Sequence, residues 1–301
     1  MIRKSLESYS ELEFVLQDPQ RGTGHAIQQL IPVLKDFEGD LVVLNGDVPL
    51  ITSETLKRLI EIHQKKNAQA SFLSAKVIDP HGYGRVLADD NSYVKEIIEE
   101  KDCSTEQRKN QLVNAGIYCF KWKALSSILP ELTDNNNQKE IYITEAIERL
   151  DNSIHYTVKD NNEVQGINQM SHLYKCEKVL QGRIKEKHML NGVRFVDLES
   201  CAISEGCEIE RGVVIEPQTY IKGECKIGAN SIIGPGCLIE DAVIGENVRI
   251  IYSVLHQCNI GNETVIGPYA HIRPNSHISM SSKVGNFVEI KNSTVGTSTK
   301  V

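Results

Sequence analysis

Aliphatic residues recur every five or six positions from Ile203 to Val301. They fall at 203, 209, 215, 221, 227, 233, 239, 244, 250, 255, 260, 266, 272, 278, 284, 290, 295 and 301. Of the 17 steps between them, 13 are six residues long and four are five. An α-helix repeats every 3.6 residues and a strand every two, so neither period alone explains this recurrence. A parallel β-helix does. Each side of a triangular coil takes about six residues and turns one aliphatic inward, so stacked coils build a continuous aliphatic core. The four short steps are either shortened corners or misread positions, and the period alone does not decide between them. Cys201, Cys207, Cys225, Cys237 and Cys258 each lie two residues before a ladder aliphatic. A small, weakly polar side chain suits a tight interior corner there, so packing is the role expected of all five.

Ahead of residue 195 the pattern is different: strand-like and helix-like segments alternate. LVVL (41–44) reads as a strand buried on both faces, and SETLKRLIEIH (53–63) as a helix with Leu56, Leu59, Ile60 and His63 on one face and Ser53 as its cap. Strand-like ASFLSAKV (70–77), a hairpin over 85–100 turning at Asp-Asp-Asn-Ser, and strand-like VNAGIYCF (113–120) follow. A helix over 122–129 stops at Pro130, and another is expected near 143–150. This alternation predicts an α/β domain with a mostly parallel sheet over 1–168. Residues 169–195 read as a linker helix, with Leu173, Cys176, Leu180 and Ile184 at helical spacing, and 196–301 as the hexapeptide-repeat domain.

Composition narrows the function. A net charge of −7 argues against a general nucleic-acid binder, which carries a basic surplus. No stretch approaches 18 continuous apolar residues, so no membrane span is expected, and the N-terminus lacks the apolar core of a signal peptide. The eight cysteines form no CxxC pair and the nine histidines no HxH or HExxH, so no zinc site is expected. Reduced thiols in the cytoplasm are the simplest reading.

One segment poses a chemical question. LVVLNGDVPLI (41–51) runs four apolar residues into Asn-Gly-Asp. In open α/β sheets ligands collect beyond the carboxyl ends of strands. A carboxylate buried within a strand is costly, whereas one at its exit can hold Mg²⁺, which often takes one or two protein ligands and completes its shell with phosphates and water. Alternatively Asp47 only opens a turn before Pro49.

Other motifs stand in a fixed order around it: LQDPQRGTGHAI (16–27), GYGRV (82–86), EEKD (99–102), VNAGIY (113–118), NNNQKEIYITEAI (135–147) and EVQGIN (163–168). In this order, ahead of the hexads, they resemble the bifunctional bacterial enzymes of UDP-N-acetylglucosamine synthesis. Those enzymes join an N-acetylglucosamine-1-phosphate uridylyltransferase to a glucosamine-1-phosphate N-acetyltransferase. The resemblance implies a Rossmann-like α/β nucleotidyltransferase domain followed by a left-handed parallel β-helix. It implies that Gln17, Gly22 and Thr23 lie at the uracil end of the nucleotide, and that Asn45, Gly46 and Asp47 form the nucleotide and metal turn. Gly84, Glu99 and Asn114 then contact the amino sugar, and Asn168 joins Asp47 at Mg²⁺. In HIRPNSHI (271–278) and GNFVEIKNS (285–293), Arg273 and Lys291 match positions that hold the phosphate of glucosamine-1-phosphate. The implied ligands are UTP, UDP-N-acetylglucosamine, N-acetylglucosamine-1-phosphate, glucosamine-1-phosphate and acetyl-CoA, and the implied assembly is a homotrimer with acetyl-CoA between subunits.

Two family segments have no counterpart in these 301 residues: the Gly-rich LxAGxGTRM…LPK loop, which cradles the UTP phosphates, and AGHLTYLGD, which carries the acetyltransferase's general-base histidine. By the resemblance, the loop with its Arg and Lys falls before Met1 and the histidine falls beyond Val301. No catalytic residue is therefore expected within residues 1–301, and these residues alone are expected to be weak or inactive in both reactions. Two other readings stay open. One is a single-function pyrophosphorylase for another sugar nucleotide with a trimerising β-helix, and the other is a non-catalytic fragment.

Overall fold

Between Asp40 and Thr157 six segments extend and pair into one sheet. They are β1 (Asp40–Val43), β2 (Ala70–Lys76), β3 (Arg85–Ala88), β4 (Val94–Ile98), β5 (Leu112–Lys121) and β6 (Ser153–Thr157). The computed structural model describes residues 2–301. Met1, the first residue of the expected 1–168 domain and the point ahead of which the phosphate-loop Arg and Lys are expected, lies outside the described residues. The chain divides into two compact units between Cys176 and Glu177, so the break falls inside the expected 169–195 linker helix. Helices α1 (Ile2–Ser5), α2 (Thr23–Gln28), α3 (Ser53–Lys65), α4 (Trp122–Ile128) and α5 (Thr144–Arg149) belong to the first unit. Helix α6 (Met170–Leu190) crosses the division.

The sheet runs β4-β3-β5-β2-β6, with β1 also on β5. It is mixed, which corrects the expectation of a mostly parallel sheet. Among the described strands of this sheet, β2 and β6 are parallel, whereas β5 is antiparallel to β1, β2 and β3. The alternation of strand-like and helix-like segments misled because it reports which elements occur, not the direction in which their strands run. One face carries Phe72, Tyr118 and Phe120 against Trp122, Leu125 and Ile147. The other carries Leu73, Ile117 and Cys119 against Leu59 of α3, with Val48 and Val164 in the same cluster.

Three local expectations also shift. Strand β1 is four residues long and half-buried, not buried on both faces, because it pairs with β5 along one edge and Leu44 is already exposed. Helix α3 is capped by Thr52 rather than Ser53: the Thr52 hydroxyl accepts from the Thr55 backbone N–H at 3.2 Å. And β5 bulges where it passes β2, between the pairs Phe72–Tyr118 and Ser74–Asn114. Gly116 sits in that bulge at φ +72°, and an added Cβ would lie 2.2 Å from the Asn45 amide nitrogen. Only glycine suits both demands.

The second unit is a parallel β-solenoid of about six coils. Short strands stack into three six-stranded sheets. One sheet aligns the inward rungs Phe195, Ile215, Ile233, Ile250, Ile266 and Val284. The second aligns Ile203, Ile221, Ile239, Leu255, Ile272 and Ile290. The third aligns Ile209, Ile227, Ile244, Ile260, Ile278 and Val295. The rungs from Ile203 to Ile290 are buried, Val295 half-buried and Val301 exposed. The five-residue steps are true shortened corners. Each turns through a residue at positive φ two positions past its rung: Asp241, Tyr252, Gln257 and Asn292. Most six-residue corners turn three positions past it, as at Asn230, Asn247 and Asn275. The five cysteines of the coils are buried, unpaired thiols, as their register predicts.

Candidate functional site

The turn that follows β1 is bound to a segment more than a hundred residues downstream. The Ile167 N–H donates to the Asp47 carbonyl at 2.8 Å. A Cβ on Gly166 would lie 3.5 Å from the Asp47 carboxylate and 3.8 Å from the Asn168 amide nitrogen. Both side chains thus reach the same small space, less than a nanometre apart. Val48 and Val164, one residue from Asp47 and four from Asn168, are buried in the same cluster. Packing therefore carries two exposed polar groups to one place.

That place is one end of a cleft of about 590 Å³. Of the twelve residues named above, Thr23, Asn45, Asp47, Gly84, Glu99, Asn114 and Asn168 line it. Gly84, Glu99 and Asn114 stand together. The Asn114 N–H donates to the Gly84 carbonyl at 2.8 Å, and a Cβ on Gly84 would lie 3.4 Å from the Glu99 carboxylate. Glu99 accepts from the Thr144 hydroxyl at 3.1 Å, and burial raises its pKa above the ordinary carboxylate range. The Asn114 amide donates to the Tyr118 hydroxyl at 2.7 Å, and burial raises the Tyr118 pKa as well. This end of the cleft offers fixed acceptors and donors for hydroxyl and amide groups.

Gln17, Gly22 and Gly46 do not line the cleft. The Gln17 amide donates to the Gly22 carbonyl at 2.9 Å and meets the His25 ring at 3.1 Å, so it braces the loop that places Thr23. Gly22, at φ +108°, packs its α-carbon against Ile141, where a Cβ would meet the carbonyl oxygen at 2.6 Å. The Thr23 hydroxyl accepts from the Ile143 N–H at 3.1 Å. This loop is stitched to the 141–143 segment on the cleft wall.

Sequence reasoning missed several groups. Tyr83, His81, His172 and Tyr118 also line the cleft. The Tyr83 pKa is raised by burial and then by the nearby Asp47 charge. Behind the loop, buried Arg85 pairs with Glu100 at 2.6 Å and donates to the Tyr83 carbonyl. The signal for these lay in GYGR and in the tyrosine of VNAGIY, whose roles appear only in three dimensions. Among the described residues no lysine or arginine lines the cleft.

Among the described residues no three His, Cys, Asp or Glu side chains gather as a metal site, and Asp47 and Asn168 are the residues that could hold a divalent ion at this end of the cleft. One carboxylate and one amide are the sparse oxygen ligands that Mg²⁺ accepts.

In the second unit, alignment of Ile272 with Ile290 sets Arg273 beside Lys291 on neighbouring coils, at a strand spacing of about 4.8 Å. Arg273 is not free: its guanidinium donates to Glu289 at 2.7 Å, and that bond holds the Glu289 carboxyl below its ordinary pKa. Lys291 is exposed. Among the described residues no helix is long and apolar enough to cross a membrane.

Comparison with known proteins agrees with both units. The nucleotidyl transferase family matches residues 2–165, and the bacterial transferase hexapeptide (six repeats) family matches 206–241. The chain is 51% identical over 300 residues to the bifunctional protein GlmU of Synechococcus sp. (strain CC9605), covering 100% of this chain and 67% of that protein. It is 50% identical over 300 residues to the protein of that name from Synechococcus sp. (strain RCC307), with 100% and 67% covered. It is 50% identical over 301 residues to that of Prochlorococcus marinus (strain NATL2A), with 100% and 68% covered. The chain thus spans about two thirds of the length of these relatives. With a nucleotidyl transferase unit followed by hexapeptide coils and half its residues shared along its whole length, the chain belongs to the bifunctional GlmU family of transferases.

Proposed function

We propose that the first unit binds a uridine nucleotide and N-acetylglucosamine-1-phosphate for uridylyl transfer, and that the coils hold glucosamine-1-phosphate for N-acetylation. One observation carries the first part: Asp47 and Asn168 converge at one end of a cleft whose other polar groups include Glu99, Asn114 and Thr23. The cleft volume falls in the range of small-molecule sites. In uridylyl transfer a sugar-1-phosphate oxygen attacks the α-phosphorus of UTP and pyrophosphate leaves, so positioning and charge stabilisation dominate. Asp47 and Asn168 are the residues that would hold Mg²⁺, which when bound offsets charge on the phosphoryl oxygens. Glu99 accepts hydrogen bonds from sugar hydroxyl or amide groups, the Asn114 amide donates or accepts, and the Gly84 backbone admits the sugar closely.

Because no lysine or arginine among the described residues lines the cleft, these residues bind and orient better than they stabilise a pentavalent phosphorus. Weak binding with slow or no turnover is therefore the reading for residues 1–301. Calorimetric titration of UDP-N-acetylglucosamine with and without Mg²⁺ tests it. Binding strengthened by Mg²⁺ in the unaltered chain and not in Asp47→Ala supports the proposal; no binding in either condition refutes it.

For the coils, support comes from Arg273 and Lys291 standing side by side, a pairing suited to a phosphate dianion. A phosphate would compete with Glu289 for Arg273. A homotrimer with acetyl-CoA between subunits, in the cytoplasm, completes this reading. Sedimentation of the purified chain with and without acetyl-CoA tests the assembly.

A further inference from the structure

The Asp47 turn and the segment ending at Asn168 are joined by more than the Ile167–Asp47 backbone bond. Glu163 is buried, 7% exposed, and its carboxylate receives two hydrogen bonds from Thr52. One comes from the Thr52 hydroxyl at 2.9 Å and one from its backbone N–H at 3.2 Å. Thr52 is five residues past Asp47, and Glu163 is five before Asn168. The same hydroxyl caps α3 by accepting from Thr55. A charged acceptor makes both bonds stronger than neutral ones would be. With the Ile167 bond, they tie the Asp47 turn to the segment ending at Asn168 at two places.

We infer that Glu163 is a positioning residue for the divalent cation: its clamp on Thr52 fixes the distance between Asp47 and Asn168, though it touches neither. The inference rests on the metal reading proposed above. Groups that support metal ligands from behind matter nearly as much as the ligands, their loss weakening affinity by roughly 10- to 100-fold. The competing explanation is that Val164, buried beside Glu163, holds the segment by packing alone.

Manganese serves as the spectroscopic stand-in for magnesium. Its affinity is measured by electron paramagnetic resonance on the full 301-residue chain in the presence of UDP-N-acetylglucosamine. Nucleotide-sugar affinity without metal is measured in parallel, for Asp47→Ala, Glu163→Gln, Glu163→Ala, Thr52→Val and Thr52→Ser. The expected result is loss of Mn²⁺ binding in D47A and roughly tenfold weakening in E163Q and T52V. T52S, which keeps the hydroxyl, should bind like the unaltered chain, and metal-free binding should be unchanged in the Glu163 and Thr52 variants. If D47A weakens Mn²⁺ and E163Q and T52V do not, packing holds the segment and the inference is overturned while the metal reading stands. If D47A leaves Mn²⁺ binding intact, the metal reading itself fails. Weakening that falls equally on metal-free binding is structural and also overturns the positioning role. Should E163A not fold, E163Q and T52V decide the matter.

Discussion

The two units solve the problem of holding residues together in opposite ways. In the solenoid neighbouring rungs lie 16 to 20 residues apart in the chain, so order is passed from coil to coil. In the first unit the working groups come from Thr23, the turn after β1, the bulge of β5 and the segment at 163–168, and no repeat relates them. A solenoid's stability is close to a sum of neighbour terms, whereas the cleft exists only when distant contacts all form. A fault in a rung should therefore stay local in function, and a fault in the cleft should be small in stability and large in binding.

The hardest test of that contrast is a charge in the ladder. Ile239 is fully buried between Ile221 and Leu255. Ile239→Asp should destabilise the coils by about 4 kcal/mol or more. Trp122, the chain's one tryptophan, lies in the first unit with its indole N–H donating to the Leu34 carbonyl at 2.8 Å. Its fluorescence reports that unit alone. Circular dichroism should lose the solenoid transition while the Trp122 transition and nucleotide-sugar binding persist. If all three fail together, the units are coupled and the contrast breaks.

Gly116→Ala is the counterpart in the cleft. The substitution places a methyl on the Asn45 amide and forces alanine to φ +72°. A cost of about 1–3 kcal/mol is expected, with at least roughly tenfold weaker UDP-N-acetylglucosamine binding in calorimetry. Binding at wild-type strength would show that the bulge does not shape the site.

How legible each unit is in sequence follows from the same contrast. The ladder could be read because the period in the chain is the geometry of the coil, and Ile203 to Ile290 all land inside. The short corners could not be placed, since a step of five looks like an error until Asp241 or Gln257 is seen at positive φ. In the first unit, helices and strands were legible but strand direction was not, because their alternation does not report which way β5 runs. Asp47 was a candidate from its place at the end of the apolar run 41–44, with a plain turn as the alternative, and Asn168 became one only through resemblance. Glu163 stayed hidden because its meaning lies in a hydroxyl 111 residues away, and Arg85 because its target is a backbone carbonyl.

Acid should separate the units next. His63 and His155 are held below their ordinary pKa by burial, which favours the neutral ring in the folded first unit. His63 meets Ser71 at 2.8 Å inside the protein, and His155 meets Ser74 at 2.8 Å. Above pH 6.5 both states are neutral and these groups are without effect. As pH falls through 6.5 the unfolded chain takes up protons that the folded unit resists, so stability declines. The slope is at most about 1.4 kcal/mol per pH unit per histidine. The histidines within the coils, 256, 271 and 277, are exposed or half-buried. In the second unit His188 of α6 is, among the described residues, the histidine similarly depressed by burial. Urea unfolding followed by Trp122 should therefore weaken from pH 7 to pH 5, less so in His63→Gln. A flat profile would remove titration from the first unit's stability.

The smallest effect tests whether the coils are as local as their period implies. Asn247 turns a six-residue corner at φ +56°, and its N–H donates to the Ala229 carbonyl of the preceding coil at 3.0 Å. Asparagine tolerates this conformation because it lacks a branched Cβ and its short amide can bond locally. Alanine lacks that amide, so Asn247→Ala should cost the coils about 1 kcal/mol. Asn247→Gly should cost less, since relief of the backbone is offset by freedom gained in the unfolded chain. Each shift should appear in the solenoid's thermal transition and leave Trp122 untouched. A corner on a coil is reached by one neighbour above and one below, so its strain has nowhere further to go. If N247A moved the first unit's transition, strain would be travelling the length of the coils, and the picture of stability as a sum over neighbours would fail where it is easiest to satisfy.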